Sequence, residues 1–224
     1  MTEKNQVVIP EANDPVERVA GFWNQYSKQI LIGVAAIVII AGGIFGYNYF
    51  VAAPNEKKAS EAIRYAEEYF RQDSVKLALE GDNLNPGFLK IISKYSGTKA
   101  GNLAHFYAGS CYIKMGDFKN AVKHLQDFST SEPLVKARAK SLMADADSEM
   151  GQKEEAAKLY KEAGTLFEKD DFYSPQYLFR AAYLYESMGK TKEAIELYQL
   201  IKDKYPQYKE YDIDKYLGRL GSVE

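Results

Sequence analysis

Cysteine is almost missing from this sequence: Cys111 is the one thiol in 224 residues. A single thiol excludes an internal disulfide framework and a multi-cysteine zinc site, and it is compatible with either redox compartment. Histidine is nearly as scarce, with only His105 and His124. No GxxxxGKS/T phosphate loop, GxGxxG fingerprint or HExxH pair occurs, so the usual loops for nucleotides and the usual helix for a catalytic zinc are missing. There is no basic excess either. Twenty-nine Lys and Arg against 31 Asp and Glu leave a net charge of −2, whereas nucleic-acid binding rests on Lys and Arg neutralising phosphates. The acidic stretches "ADADSE" (144–149) and "EKDD" (168–171) lack the ligand spacing of a calcium loop and read as solvated faces or turns. Tryptophan occurs once, but tyrosine 18 times. That many Tyr at helical spacing suits packed helices whose rings are half-buried.

Against these absences, "CYIKMGDFKNAVKHL" (111–125) draws the eye, because it holds Cys111 and His124, with His105 six residues upstream of the thiol. A nucleophile and its base are one reading. Six residues on one helix turn through about 600°, so Cys111 and His105 point in well-separated directions. Cys111 then reads as a small core filler, His105 as a packing side chain and His124 as half-exposed. No catalytic residue, metal ligand or cofactor is expected.

Charge is also missing locally. From Gln29 to Asn55 no charged side chain occurs, and "ILIGVAAIVIIAGGIFGYNYF" runs 21 residues from Ile30 to Phe50. As a helix it is about 31 Å long, close to the ~30 Å hydrocarbon thickness of a bilayer. Trp23 and Tyr26 lie on one side and Tyr47 and Tyr49 on the other, as an interfacial aromatic belt requires. We expect a transmembrane helix over 29–52. A buried core helix of this length would normally show a polar face. A cleaved signal is disfavoured by the length and late start of the run. Ahead of it, over residues 1–28, Asp14 suits an N-cap and Pro15 a first helical position. Val16, Val19, Ala20 and Trp23 then share one face of a short surface helix, the alternative being a flexible tail. Lys4, Arg18 and Lys28 before the span balance Lys57, Lys58, Arg64 and Arg71 after it, so charge leaves the orientation open. Gly42 and Gly46 have the GxxxG spacing of a close helix contact, which admits a dimer or partner within the bilayer.

After the span the sequence repeats. "YAGSCYIKMGDFKNAVKHL", "LMADADSEMGQKEEAAKLY" and "RAAYLYESMGKTKEAIELY" align on Gly116, Gly151 and Gly189, with intervals of 35 and 38 residues. Seven residues before each Gly stands a small residue (Gly109, Ala144, Ala182). Five after it stands Ala (Ala121, Ala156, Ala194), and four further on a large side chain (Leu125, Tyr160, Tyr198). Each unit predicts a helix ending at a left-handed Gly, a short turn and a second helix, with small residues where the backbones cross. Pro133 and Pro206 are expected to end the second helices. Asp147 stands where the other copies have Tyr112 and Tyr185.

These units resemble the tetratricopeptide repeat, over 102–135, 137–170 and 175–208. A degenerate first repeat is expected over 56–98, with an insertion at 74–87 holding Gly81 and Pro86. A capping helix is expected within 209–224, since stacked repeats need a polar-backed end. The fold class is all-α: one transmembrane helix followed by an α-solenoid of antiparallel hairpins. The resemblance implies a concave face lined by Leu103, Phe106, Tyr107, Ser110 and Ile113, then Arg138, Ser141, Asp145 and Ser148, then Gln176, Phe179, Arg180, Tyr183 and Glu186. That face would hold extended or helical apolar segments, unless its rings only pack against the opposite wall. Relatives that grip a C-terminal carboxylate place Lys or Asn where this chain has Phe106, Ser110 and Asp145. Only Arg180 fits, so that use is disfavoured.

The order of tail, span and repeats, with "GFLKIISKYSGTKAGNLAHFYAGSCYIKMGDF" (87–118), is similar to the ancillary-subunit family of the bacterial Sec translocon. That resemblance implies an inner-membrane adaptor with a cytoplasmic N-terminus and periplasmic repeats. Its partners would be translocon subunits, periplasmic chaperones and unfolded clients. The alternatives are a cytoplasm-facing regulatory or accessory subunit, and an enzyme using Cys111.

Overall fold

The computed structural model describes residues 15–221, without the side chains of residues 15–18 and 21. The expected Asp14 cap, Lys4, and the Val16 and Arg18 side chains lie outside them. The described residues are helical with no strand, and they fall into two units, split between Ala53 and Pro54.

The first unit is α1 (Pro15–Tyr47), continued by one π-helical turn, Asn48–Ala52. The short surface helix and the span were expected as separate elements, but they form one α-helix. No proline interrupts it between Asn24 and Ile30, and Gln, Lys and Ile all sustain a helix. An eighteen-residue window of this helix reaches mean hydropathy 2.5 with none of it buried. By length and composition this is one helix able to cross a membrane. A Cβ added at Gly42 or Gly46 would find no described atom within 4 Å beyond its own helix.

The second unit begins inside α2 (Ala53–Arg71), at Pro54, and continues with α3 (Val75–Glu80) and α4 (Phe88–Lys94). Ala59, Ile63 and Ala66, spaced along one face of α2, bury with Phe88, Ile91, Ala104 and Ala108. Between α3 and α4, Gly81 and Pro86 form an isolated antiparallel bridge. A Cβ on Gly81 (φ +86°) would lie 2.4 Å from the Gly87 nitrogen, so neither glycine tolerates a side chain. Asp82 holds this loop. Its Oδ1 accepts from the backbone N–H of Leu84 and Asn85, and its Oδ2 from the Tyr69 hydroxyl. Those donors stabilise the charged form and hold its carboxyl down to about 2.

Three hairpins follow: α5 (Lys99–Lys114) with α6 (Phe118–Asp127), α7 (Pro133–Glu149) with α8 (Lys153–Leu166), and α9 (Tyr173–Ser187) with α10 (Thr191–Lys204). The closing helix is α11 (Ile213–Arg219). Each helix from α4 onward packs mainly on its chain neighbours, the sign of a solenoid. The three hairpin turns are identical in hydrogen bonding. Asp117, Gln152 and Lys190 donate N–H to the carbonyls of Tyr112, Asp147 and Tyr185 at 2.9, 2.8 and 2.9 Å. This is the Schellman pattern, and it places Gly116, Gly151 and Gly189 at φ +76°, +76° and +73°. The backbone crossings are as close as the small residues require. Ala121, Ala144, Ala156, Ala182 and Ala194 are fully buried, and a Cβ on Gly109 would stand 2.6 Å from Leu125 Cγ.

Pro133 does not end a second helix. Helix α6 stops at Asp127, and Pro133 opens α7 at its first turn. There its missing N–H costs nothing and its fixed φ suits the start of a helix. Pro206 does follow a helix end, with α10 closing at Lys204.

Candidate protein-binding surface

The helix starts decide which side chains face outward together. Because α7 begins at Pro133, Leu134 and Val135 project from its first turn beside α5. With Leu103, Phe106 and Tyr107 of α5, Arg138 of α7, and Tyr173 and Tyr177 of α9, they line a cleft of about 420 Å³. Its walls are almost wholly aliphatic or aromatic, with Arg138 and Asp170 the charged lining groups. Leu134 keeps 46% of its surface exposed, so the cleft is open. Two of its rings are held from behind. Tyr107 stacks on Phe88 at 5.1 Å, and Phe106 leans on Phe128 at 5.3 Å.

A second cleft of about 490 Å³ is lined by Ser148, Tyr160, Phe179, Arg180, Tyr183, Leu184, Tyr211 and Tyr216. Its polar floor is closed on itself. Asp145 Oδ1 accepts from the Tyr160 hydroxyl and, at 2.8 Å, from Arg180 Nη1. The guanidinium also sits 5.6 Å over the Tyr160 ring. Burial, then the Asp145 carboxylate, push the Tyr160 phenol above its ordinary range, so it stays a donor. Arg180 is the single residue compatible with a carboxylate clamp, and its charge is already answered by Asp145.

The expected concave face is therefore divided between two clefts, and several of its residues are not available. Ser141 is fully buried, its hydroxyl donating to the Arg138 carbonyl at 2.9 Å. Ser110 donates to the Phe106 carbonyl, and Ile113 packs into the cluster around Leu125 and Leu142. Gln176 is engaged by Glu210 at 2.9 Å, and Glu186 by Arg219 and the Tyr198 hydroxyl. Phe179 is only 6% exposed because Tyr211 lies flat on it at 3.8 Å. Tyr183 remains 53% exposed. Leu134, Val135, Tyr173, Tyr177, Tyr211 and Tyr216 were missed. The signal for the first two was Pro133, which suits a helix start as well as it suits a helix end.

Cys111 is buried, and desolvation pushes its thiol up to about 12, so almost no nucleophilic thiolate forms near neutral pH. It does not meet His105. His105 meets His124 instead, ring nitrogen to ring nitrogen, and His124 is half-buried, as expected.

Three Gly-closed hairpins stacked in series define one architecture, and the family comparison agrees with it: the profile of the tetratricopeptide repeat-like domain matches residues 21–217. The chain belongs to that family. No curated protein matches it. Tetratricopeptide domains are typically non-catalytic protein-binding modules, and the two clefts of this tetratricopeptide array offer surface for protein contact.

Proposed function

We propose that this protein is a membrane-anchored adaptor that holds apolar polypeptide segments beside a bilayer. The observation that carries this reading is the open cleft of Leu103, Phe106, Leu134, Val135, Tyr173 and Tyr177, whose lining is mainly apolar, with Arg138 and Asp170 its charged groups. A segment presenting spaced apolar side chains would bury them there and leave its polar groups in water. Weak gripping suffices if α1 spans the membrane, because tethering raises the effective concentration of cleft and client near each other.

In the finer version, α1 anchors the chain in a bacterial inner membrane, with the N-terminus in the cytoplasm and the repeats in the periplasm. Gly42 and Gly46 leave a face on which a second helix could pack. The adaptor then assists secretory or envelope proteins as they leave the translocon, or passes them to chaperones.

Photo-crosslinking side chains placed at Leu134 and Tyr183 test the adaptor in intact membranes, alongside a reporter fused to the C-terminus. Capture of translocon components or exported chains, with a reporter active outside the cytoplasm, is the expected result. A reporter active only in the cytoplasm would sink the export role and leave a cytoplasm-facing accessory subunit. No capture above background from either position would mean the clefts hold no client.

A further inference from the structure

The only two imidazoles of the chain face each other across the first hairpin. His105 stands on α5 and His124 on α6, with their Nδ1 atoms 3.2 Å apart. The ring centroids are 5.3 Å apart and the planes inclined by 43°. Two nitrogens each about 2.0–2.1 Å from one tetrahedral ion lie about 3.3 Å apart. The observed separation is close to that value without any movement of the helices.

We propose that His105 and His124 chelate a late first-row divalent ion, such as Zn²⁺, Ni²⁺ or Cu²⁺, through their Nδ1 atoms and so clamp α5 to α6. Among the described residues no three His, Cys, Asp or Glu side chains form a ready-made metal set. The coordination is accordingly two nitrogens, with water in the remaining positions. Asp127 supplies the compensating charge. Its Oδ2 lies 3.9 Å from His105 Nδ1, close enough to accept a hydrogen bond from metal-bound water. Its side chain is half exposed, so ion and water can reach the site. Lys123 is the neighbouring cation that opposes binding.

The donors are set in place before any ion arrives. The Tyr112 ring lies over the His124 ring at 5.4 Å and only 15° from parallel, which restricts its rotation. The helices beneath are fixed by the close crossing at Gly109 and Leu125. Without metal, one ring donates its Nδ1–H to the other. On binding, that ring moves its proton to Nε2, and both Nδ1 lone pairs point to the ion with no net proton released. Nitrogen donors select these ions over Ca²⁺ and Mg²⁺, which prefer oxygen. Cys111 is no ligand, being buried and protonated.

The test is calorimetric titration of Zn²⁺ and Ni²⁺ into the full chain, purified in detergent without a histidine tag, with thermal unfolding followed in parallel. One ion per chain and a raised unfolding midpoint are expected, with no response to Mg²⁺. His124→Gln should abolish both effects while leaving the helical spectrum intact. Asp127→Asn should weaken affinity roughly tenfold, as loss of an outer partner does. No binding to the folded chain overturns the proposal. So does binding that survives in both His124→Gln and His105→Gln.

Discussion

Glycine does two different jobs within eight residues of this chain, and substitution separates them. Gly109 is needed for space: an added Cβ meets Leu125 Cγ at 2.6 Å and the Ala121 carbonyl at 3.1 Å. Gly116 is needed for conformation: φ is +76° and nothing lies within 4 Å of an added Cβ. Gly109→Ala and Gly116→Ala should each lower stability by about 1–2 kcal/mol in urea unfolding, one by overpacking and one by left-handed strain. Asparagine tells them apart. Gly116→Asn should recover much of the loss, because Asn tolerates the left-handed region, whereas Gly109→Asn should be worse than Gly109→Ala. Both glycines were legible in the sequence, since three aligned copies mark the positions. The His105–His124 contact was not, because each histidine occurs in one copy only and the pairing depends on how α6 lies along α5.

Asp147 is the other residue where one copy departs from the rest. It occupies the place of Tyr112 and Tyr185 and is buried, and desolvation raises its carboxyl above the ordinary value, with Glu155 adding to the effect. The folded chain therefore binds this proton more tightly than the unfolded chain. Stability falls as pH rises from the unfolded value through the folded one, and the full cost is present at neutral pH. Asp147→Asn should stabilise the protein by about 1 kcal/mol at pH 7. The gain should shrink as pH falls through the carboxylate range. A gain over the parent no larger at pH 7 than at acid pH would show that the buried charge is not the cause.

Among elements, the start of α7 and the C-terminal segment carry most of what could not be read from the sequence. Proline is ambiguous by nature: it disfavours a helix in the residue before it and favours the first turn of one that follows. At Pro133 the second effect holds, and it moves Leu134 and Val135 from the end of the repeat expected over 102–135 to the rim of the open cleft. The C-terminal segment was expected only as an end cap. Ile213 and Leu217 do bury in the last core cluster, but Tyr211 and Tyr216 also cover Phe179, Tyr211 by flat stacking and Tyr216 edge-on. Tyr–aromatic packing of this kind is not encoded by any local period. Tyr211→Ala should uncover Phe179 and cost about 1–2 kcal/mol. It should also raise capture of apolar peptides by a crosslinker at Tyr183. Unchanged capture with lowered stability would mean that the second cleft is a packing defect and not a binding surface.

At the scale of the whole molecule, two patterns in the sequence announced two units: an uncharged run with no polar face, and a repeat of 35 to 38 residues. Each signal is redundant over many residues, which is why both were legible while the clefts were not. The division has a consequence for folding. The described core clusters draw only on residues between Ala59 and Leu217, so the repeat unit holds its own apolar core without α1. A fragment of residues 54–224 should therefore be soluble, helical and cooperative in urea, while the full chain should require detergent or lipid. Cys111 provides the check. Its thiol is buried and pushed up to about 12, so in a correctly packed fragment an aromatic disulfide reagent should react only as fast as the first hairpin opens. In urea the reaction should become immediate. Fast reaction of the fragment in buffer, with a helical spectrum retained, would mean that the hairpins form but do not pack, and that the repeat unit depends on α1 after all.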